Sequence, residues 1–238
     1  MFENIHADLA PPLSPAQEFY HHKKPDSVRV VFDASAVYKG NSLNKVLLSG
    51  PDLTNSLLGI LLRFRQEAVA ITADVQQMFY NFKVVENNRD FLHFIWHAED
   101  DLSKPLVDYR MTVHVFGNSP SPAIATYGLR KSVEEADLDV INFVEHNFNI
   151  DDELVSCVDV DTAVDLVKRS QDALLSGGHL RFHKIASNNK QVLQRFPVDD
   201  LAKNLKDLSF ENEDLHVPMQ RSLGMSWNVE SLLHISGQ

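Results

Sequence analysis

The placing of acid at the ends of apolar runs constrains this chain most. Ala68-Val69-Ala70-Ile71-Thr72-Ala73 reads as a buried strand and ends on Asp74. Further on, Phe148-Asn149-Ile150, Asp151-Asp152-Glu153 and Leu154-Val155-Ser156-Cys157-Val158 run apolar, acidic, apolar, the pattern of two strands joined by a tight turn. If both strands lie side by side in one sheet, three carboxylates converge at one end. Such a cluster repels itself unless cations neutralise it. Two Mg²⁺ ions about 3.5–4 Å apart would do so, and would stabilise the attacking and leaving oxygens of a phosphoryl displacement. On spacing alone a plainer reading stands beside this one, since a strand-ending Asp and an Asp-Asp pair are also ordinary turn residues.

The rest of the chain reads as alternating elements without a regular βαβ rhythm, which predicts an α+β fold. Residues 1–26 are a proline-rich arm, and Val28 to Phe32 a β-branched strand. Apolar positions at spacings of 3 and 4 predict a helix over 52–66. Strands are expected at 91–96 and 107–116. Helices are expected from Pro120 to about Glu135, over 138–146, and over 161–176 with Gly177-Gly178 as its stop. A strand at 180–185, a short helix at 198–208 and a strand pair within 221–235 complete the pattern.

Composition narrows the function classes. The 238 residues are 44% hydrophobic and 23% charged, enough for a sizeable core. The single cysteine, Cys157, excludes an internal disulfide framework and a cysteine-rich zinc module. No apolar run approaches the roughly 18 residues of a membrane-spanning helix, so no membrane partner is expected. Met1-Phe2-Glu3-Asn4 lacks the pattern of a secretory signal, so secretion is not expected either. A net charge of −11 argues against a protein that coats nucleic acid, but not against carboxylates holding metal beside phosphates. Ser119 and Ser121 lack a nucleophile elbow, and no Walker-type loop exists. His179 and His183 are spaced like a helical zinc pair but fall in an expected strand with no cysteine near them.

Several motifs in order resemble the reverse transcriptase of Pao/BEL long-terminal-repeat retrotransposons. They are Val28-Arg29-Val30-Val31-Phe32-Asp33-Ala34-Ser35, Gly50-Pro51-Asp52-Leu53, Ala73-Asp74 through Tyr80, and Val113-His114-Val115-Phe116-Gly117-Asn118-Ser119-Pro120-Ser121-Pro122-Ala123. His183-Lys184-Ile185-Ala186-Ser187-Asn188 and Gln220-Arg221-Ser222-Leu223-Gly224-Met225-Ser226-Trp227 follow. The likeness runs from about residue 19 to 233. It implies a right-hand polymerase fingers and palm, the palm an antiparallel sheet backed by helices, with the thumb largely absent. Residues 1–66 would form the first part of the fingers and 67–238 the palm and primer-grip segment, with 81–116 returning to the fingers.

The same resemblance assigns roles. Asp74, Asp151 and Asp152 would be catalytic and bind two Mg²⁺ ions, with Mn²⁺ a possible substitute. Lys184 matches the palm lysine held to protonate the pyrophosphate leaving group. Arg29 would contact the triphosphate of the deoxynucleotide, where a planar fork suits phosphate. Val75, Gln76, Gln77 and Phe79 would wall the sugar, Phe79 excluding a ribose 2′-hydroxyl. Phe116 and Gly117 would also face the nucleotide. Ser121, Pro122, Gly224 and Trp227 would contact primer and template. The implied partners are an RNA or DNA template with its primer and the missing thumb and RNase H portion of a polyprotein. The implied compartment is a cytoplasmic virus-like particle or the nucleus.

Two positions depart from the family pattern. Asn149 stands where a Tyr is usual and Glu153 where Gly or Cys is usual. Glu153 is expected to add negative charge beside the aspartates. Lys23, Lys24, Arg29, Arg63 and Arg65 form the main basic cluster of the first half. Two functions therefore stand: template-directed DNA synthesis, or a weak or inactive retroelement remnant that binds nucleic acid or protein.

Overall fold

A computed structural model describes residues 2–5, 16–20, 28–37, 39–205, 220–222, 225–227 and 235–236. In chain order the elements are β1 (Phe2–Ile5), β2 (Ala16–Tyr20), β3 (Val28–Phe32), α1 (Leu43–Val46), α2 (Leu57–Arg63), β4 (Val69–Val75), β5 (His93–His97) and β6 (Leu106–Met111). Then come α3 (Ser121–Lys131), α4 (Leu138–Asn147), β7 (Phe148–Asn149), β8 (Asp152–Cys157), α5 (Val160–Gly178), β9 (Phe182–Ser187) and α6 (Lys190–Leu193). Strands β10 (Gln220–Ser222), β11 (Met225–Trp227) and β12 (Ile235–Ser236) follow. The α+β class holds, with antiparallel pairing throughout the sheets.

The chain divides into two compact units, residues 1–52 with 79–125 and residues 53–78 with 126–238. The first holds the β1-β6-β5 sheet and the β2-β3 pair. Its core gathers Leu43, Leu92, Phe94, Met111, Val113 and Val115, with Phe32, Tyr80 and Tyr109 packed against them. The expected strand over 107–116 stops at Met111, after which the chain touches Lys83 through a single bridge at Val113.

The second unit is built on a four-stranded sheet ordered β7-β8-β4-β9. Central β4 is buried nearly throughout, which suits its small and β-branched sequence. Helices α4 and α5 pack on this sheet. Residues 53–66, which the resemblance would group with residues 1–52, pack in this unit. Asn55 Nδ2 donates to the carbonyls of Glu145 and Phe148, both at 2.8 Å, and Arg63 donates to His146 O. The helix expected over 52–66 is confined to α2, since the chain is irregular up to Ser56, whose hydroxyl accepts from Gly59 N at 3.5 Å as an N-cap.

Helix α5 does not stop at its glycines. Gly177 and Gly178 lie inside it, and His179 ends it in the left-handed region at φ 53°. The glycines answer a close approach of chain: a Cβ at Gly177 would lie 1.9 Å from Ser132 O, and one at Gly178 would lie 2.1 Å from Ser132 Oγ. Of the short helix expected at 198–208, the described residues up to Leu205 hold tight turns at Val198–Asp200 and Lys203–Leu205, and 206–208 lie outside the described residues. Gly177→Ala is expected to lower stability by about 1–3 kcal/mol, the usual cost of overpacking, read as a shift of the urea midpoint. An unchanged midpoint would disprove the close packing.

Candidate active site

Register, more than sequence distance, assembles the acidic residues. On the sheet of the second unit, Asn149 of β7 lies opposite Asp152 of β8, Asp152 opposite Asp74 of β4, and Asp74 opposite His183 of β9. Directly opposed residues share a face of a pleated sheet. The four side chains therefore form one row across all four strands, with two carboxylates at its centre. Asp151 sits in the turn just before β8, and its carbonyl accepts from Val75 N at 2.9 Å. The preceding Ile150 has φ 59°, a left-handed conformation that a β-branched residue rarely takes. Strain of this kind concentrates at functional turns.

The carboxylate of Asp74 is held by two consecutive residues of β9. Lys184 Nζ donates to Oδ2 at 2.8 Å, and His183 Nε2 lies 3.4 Å from Oδ1. A regular strand would send neighbours to opposite faces. Here Thr72 pairs with Ala186 and Asp74 with His183, so Lys184 and Ile185 together face Ala73 alone, a β-bulge. Lys184 itself is left-handed at φ 55°. This bulge is what brings both basic side chains to one acid.

Glu153 behaves otherwise than its sequence position suggests. It is opposite Ala73, one step out of the Asp74–Asp152 row, so it projects to the other face of the sheet and is fully buried. Neither carboxylate oxygen has a hydrogen-bond partner. Burial, and to a lesser degree the charge of Asp152, pushes its carboxyl well above the usual carboxylate range. Glu153 thus lies in the core with its protonated form favoured by burial, where an added charge beside the aspartates was expected.

The remaining candidates fall in several places. Val75 is buried, and what it offers is its backbone. Gln76 N donates to Arg181 O at 2.9 Å, and Gln77 is exposed in a left-handed turn at φ 50°. In the first unit, Phe79 and Phe116 meet edge to face with ring centroids 5.7 Å apart, and Phe116 is 56% exposed. Gly117 has φ 94°, and a Cβ there would lie 3.4 Å from Phe32 O. Ser121 is buried with its hydroxyl donating to Val115 O at 2.8 Å, while Pro122 opens α3 half-buried. Arg29 lies on β3 opposite Phe19, and Trp227 on β11 opposite Gln220. Gly224, Lys23 and Lys24 lie outside the described residues.

Two structural anchors were not anticipated. Asn44 donates to Gly117 O at 3.0 Å and accepts from Ser119 N at 2.8 Å, fixing the turn that carries Phe116 and Gly117. Asn55 holds the end of α4 and the start of β7, as described above, and so fixes the approach to Asp151. Asn44 lies in the four-residue helix α1 and Asn55 in an irregular segment, both too short for periodicity to mark them. Arg63, grouped by sequence with a basic surface, is spent on His146 O.

The donors are all carboxylate oxygens, the set a hard divalent cation prefers. Among the described residues no three His, Cys, Asp or Glu side chains stand together closely enough to hold a metal ion. The position beside Asp74 is instead taken by the Lys184 ammonium. Also among the described residues, no helix is long and apolar enough to cross a membrane.

No family model matches this chain, and no curated protein matches it. Solved structures do. The prototype foamy virus protease–reverse transcriptase CSH mutant is similar at 18% identity and TM-score 0.55, over 76% of this chain and 21% of that one. The foamy viral protease–reverse transcriptase dRH in complex with double-stranded DNA is similar at 16% identity and TM-score 0.58, over 100% of this chain and 32% of that one. The foamy viral protein in complex with an RNA/DNA hybrid is similar at 15% identity and TM-score 0.58, over 94% of this chain and 23% of that one. The chain spans about a fifth to a third of the length of these proteins. Its fold is reverse-transcriptase-like.

Glu153 generates a pH prediction. A carboxyl whose folded pKa is raised binds more protons folded than unfolded, so stability falls as pH rises above its ordinary value of about 4.5. Urea denaturation at pH 5 and pH 8 is expected to show Glu153→Leu gaining on the native chain as pH rises, by up to about 1.4 kcal/mol per pH unit. A gap independent of pH would show that Glu153 is not a buried neutral acid.

Proposed function

We propose that this chain is the fingers and palm of a Pao/BEL-type reverse transcriptase, joining deoxynucleotides to a primer 3′-hydroxyl on an RNA or DNA template. The observation that carries the reading is the direct opposition of Asp74 and Asp152 on neighbouring strands, with Asp151 in the adjoining turn, inside a reverse-transcriptase-like fold. The ordered Pao/BEL motifs support the finer family. The nucleic acids bound to two of the foamy viral structures support a primer–template as the partner.

Asp74, Asp151 and Asp152 would hold two Mg²⁺ ions, or Mn²⁺ in their place. When bound, such ions lower the pKa of the attacking hydroxyl and neutralise charge on the phosphates. The chain's own residues do the rest. Arg29 would orient the triphosphate through a bidentate fork. The Phe79–Phe116 pair offers an apolar edge against the sugar, where a 2′-hydroxyl would find no hydrogen-bond partner. Gly117 lets the backbone come close where a side chain would crowd Phe32 O. Lys184, once free of Asp74, would give its proton to the departing pyrophosphate oxygen. Primer and template would run against Ser121, Pro122, Gly224 and Trp227, with the thumb and RNase H portion supplied by the rest of a polyprotein. The compartment would be a virus-like particle in the cytoplasm, or the nucleus.

Primer extension tests the reading. Purified chain is given a recessed DNA primer on an RNA template, with Mg²⁺ or Mn²⁺, beside Asp151→Asn. Extension by the native chain that falls to background in the variant is expected. No extension with either metal, from folded protein, would sink catalysis by this chain and leave the remnant reading.

A further inference from the structure

The first unit carries an apolar groove of about 480 Å³, a size suited to a small molecule. Val46, Leu48, Val85, Phe91, Pro120 and Ile124 help to line it. Four of them, Val46, Leu48, Val85 and Phe91, are exposed, so the groove leaves apolar surface open to water. Asn118 lines the same groove and is only 4% exposed. Its carbonyl accepts from Ser121 N at 3.1 Å, but its side-chain Oδ1 is buried with no hydrogen-bond partner among the described residues. A cavity of about 20 Å³, room for one water molecule, shares Phe91, Leu92 and Asn118 with the groove. His93 lines that cavity, its side chain 9% exposed and its Nε2 likewise buried and unpartnered. Asp90 does not serve it, because Oδ1 lies 3.6 Å away and is taken by Arg110 at 2.9 Å. Buried polar atoms are ordinarily paired, and each one left unpaired is costly. Here two of them meet the same small space.

We propose that this groove binds a small aromatic compound that bears a hydroxyl and no positive charge, with its ring against Phe91 and its hydroxyl donating to Asn118 Oδ1. The apolar walls supply the affinity and the amide supplies the orientation. A hydroxyl both donates and accepts, so it suits Asn118 Oδ1 and either tautomer of His93. Among the described residues of the lining, Lys83 alone carries a charge, which disfavours a cationic ligand and tolerates an anionic one. His114, also in the lining, has its pKa lowered by burial, which keeps its ring neutral at pH 7. None of these residues belongs to the row of Asp74 and Asp152, so the proposal stands apart from the polymerase reading.

The test titrates the full chain against two fluorescent probes, 6-hydroxy-2-naphthoate and 2-naphthoate, which differ only in the hydroxyl. The native protein is expected to bind the hydroxylated probe about tenfold more tightly, the scale of one buried hydrogen bond left unmade. Asn118→Leu keeps the size of the side chain and removes its acceptor, and should bind the two probes alike. Val85→Trp fills the groove from an exposed position that folding does not depend on, and should weaken both probes about tenfold or more. Equal binding of the two probes by the native chain would overturn the role of Asn118 without recourse to any variant. A preference for the hydroxyl that survives Asn118→Leu, or binding untouched by Val85→Trp, would place the ligand elsewhere and overturn the proposal.

Discussion

Strand β4 is the piece on which the other placements depend. It is flanked on both edges, so its ladder fixes β8 on one side and β9 on the other. A shift of one residue in either register would send Asp152 or His183 to the opposite face. What prevents the shift is burial: Ala70, Ile71, Ala73 and Val75 are all at most 4% exposed. Ile71 faces Val155 across the β8 pairing, and Phe182 of β9 faces Val75. The apolar ladder holds register, and register holds the acids. At the open end the Val75 N–H to Asp151 O bond continues the ladder beyond the last carboxylate and fixes the turn backbone.

Alternation explains why the same segment carries acids with opposite behaviour. Asp152 and Glu153 are neighbours in sequence, yet the pleat gives one a half-exposed face and the other the core. Glu153 costs stability there because neither oxygen is hydrogen-bonded, and burial favours its protonated form over the costlier carboxylate. Cys157, two pleats further along the same face as Glu153, is also buried, and its thiol is pushed up to about 11 by burial first. It is therefore a packing residue, with little thiolate character at neutral pH.

Much of the second unit was legible in the sequence, and the failures have physical causes. The strand ending at Asp74, the acid-tipped hairpin and the helix after it were written in apolar runs bounded by charge. What periodicity could not give is which strand lies beside which, hence the His183 contact: its spacing from His179 invited a metal-pair question, while its partner is 109 positions away at Asp74. The left-handed Lys184 carries no compositional mark, since glycine or asparagine usually signals that conformation. Gly177-Gly178 read as a helix stop because local propensity says so. Only the close approach of Ser132 shows why they remain helical. In the first unit, Phe116 and Gly117 stood out only through the resemblance, whereas Asn44, which holds them, lies in a helix of four residues, too short to show a periodic pattern.

Asn149 has a local role in these contacts. Asn149 Nδ2 donates to Asn55 O at 3.3 Å, while Asn55 Nδ2 donates to the carbonyls of Glu145 and Phe148. The two amides thus bind each other's segments, closing residues 53–56 onto the end of α4 and the start of β7. Arg130 adds a donor to Leu53 O at 2.9 Å. A phenol at 149 carries its hydroxyl at the far end of a ring and could not make this short tether. Asn149 is therefore integrated into the support of the Asp151 turn, and it ends the row whose other members are Asp152, Asp74 and His183. The backbone path to the aspartates is held by β4 and by these amides, with no aromatic ring at position 149.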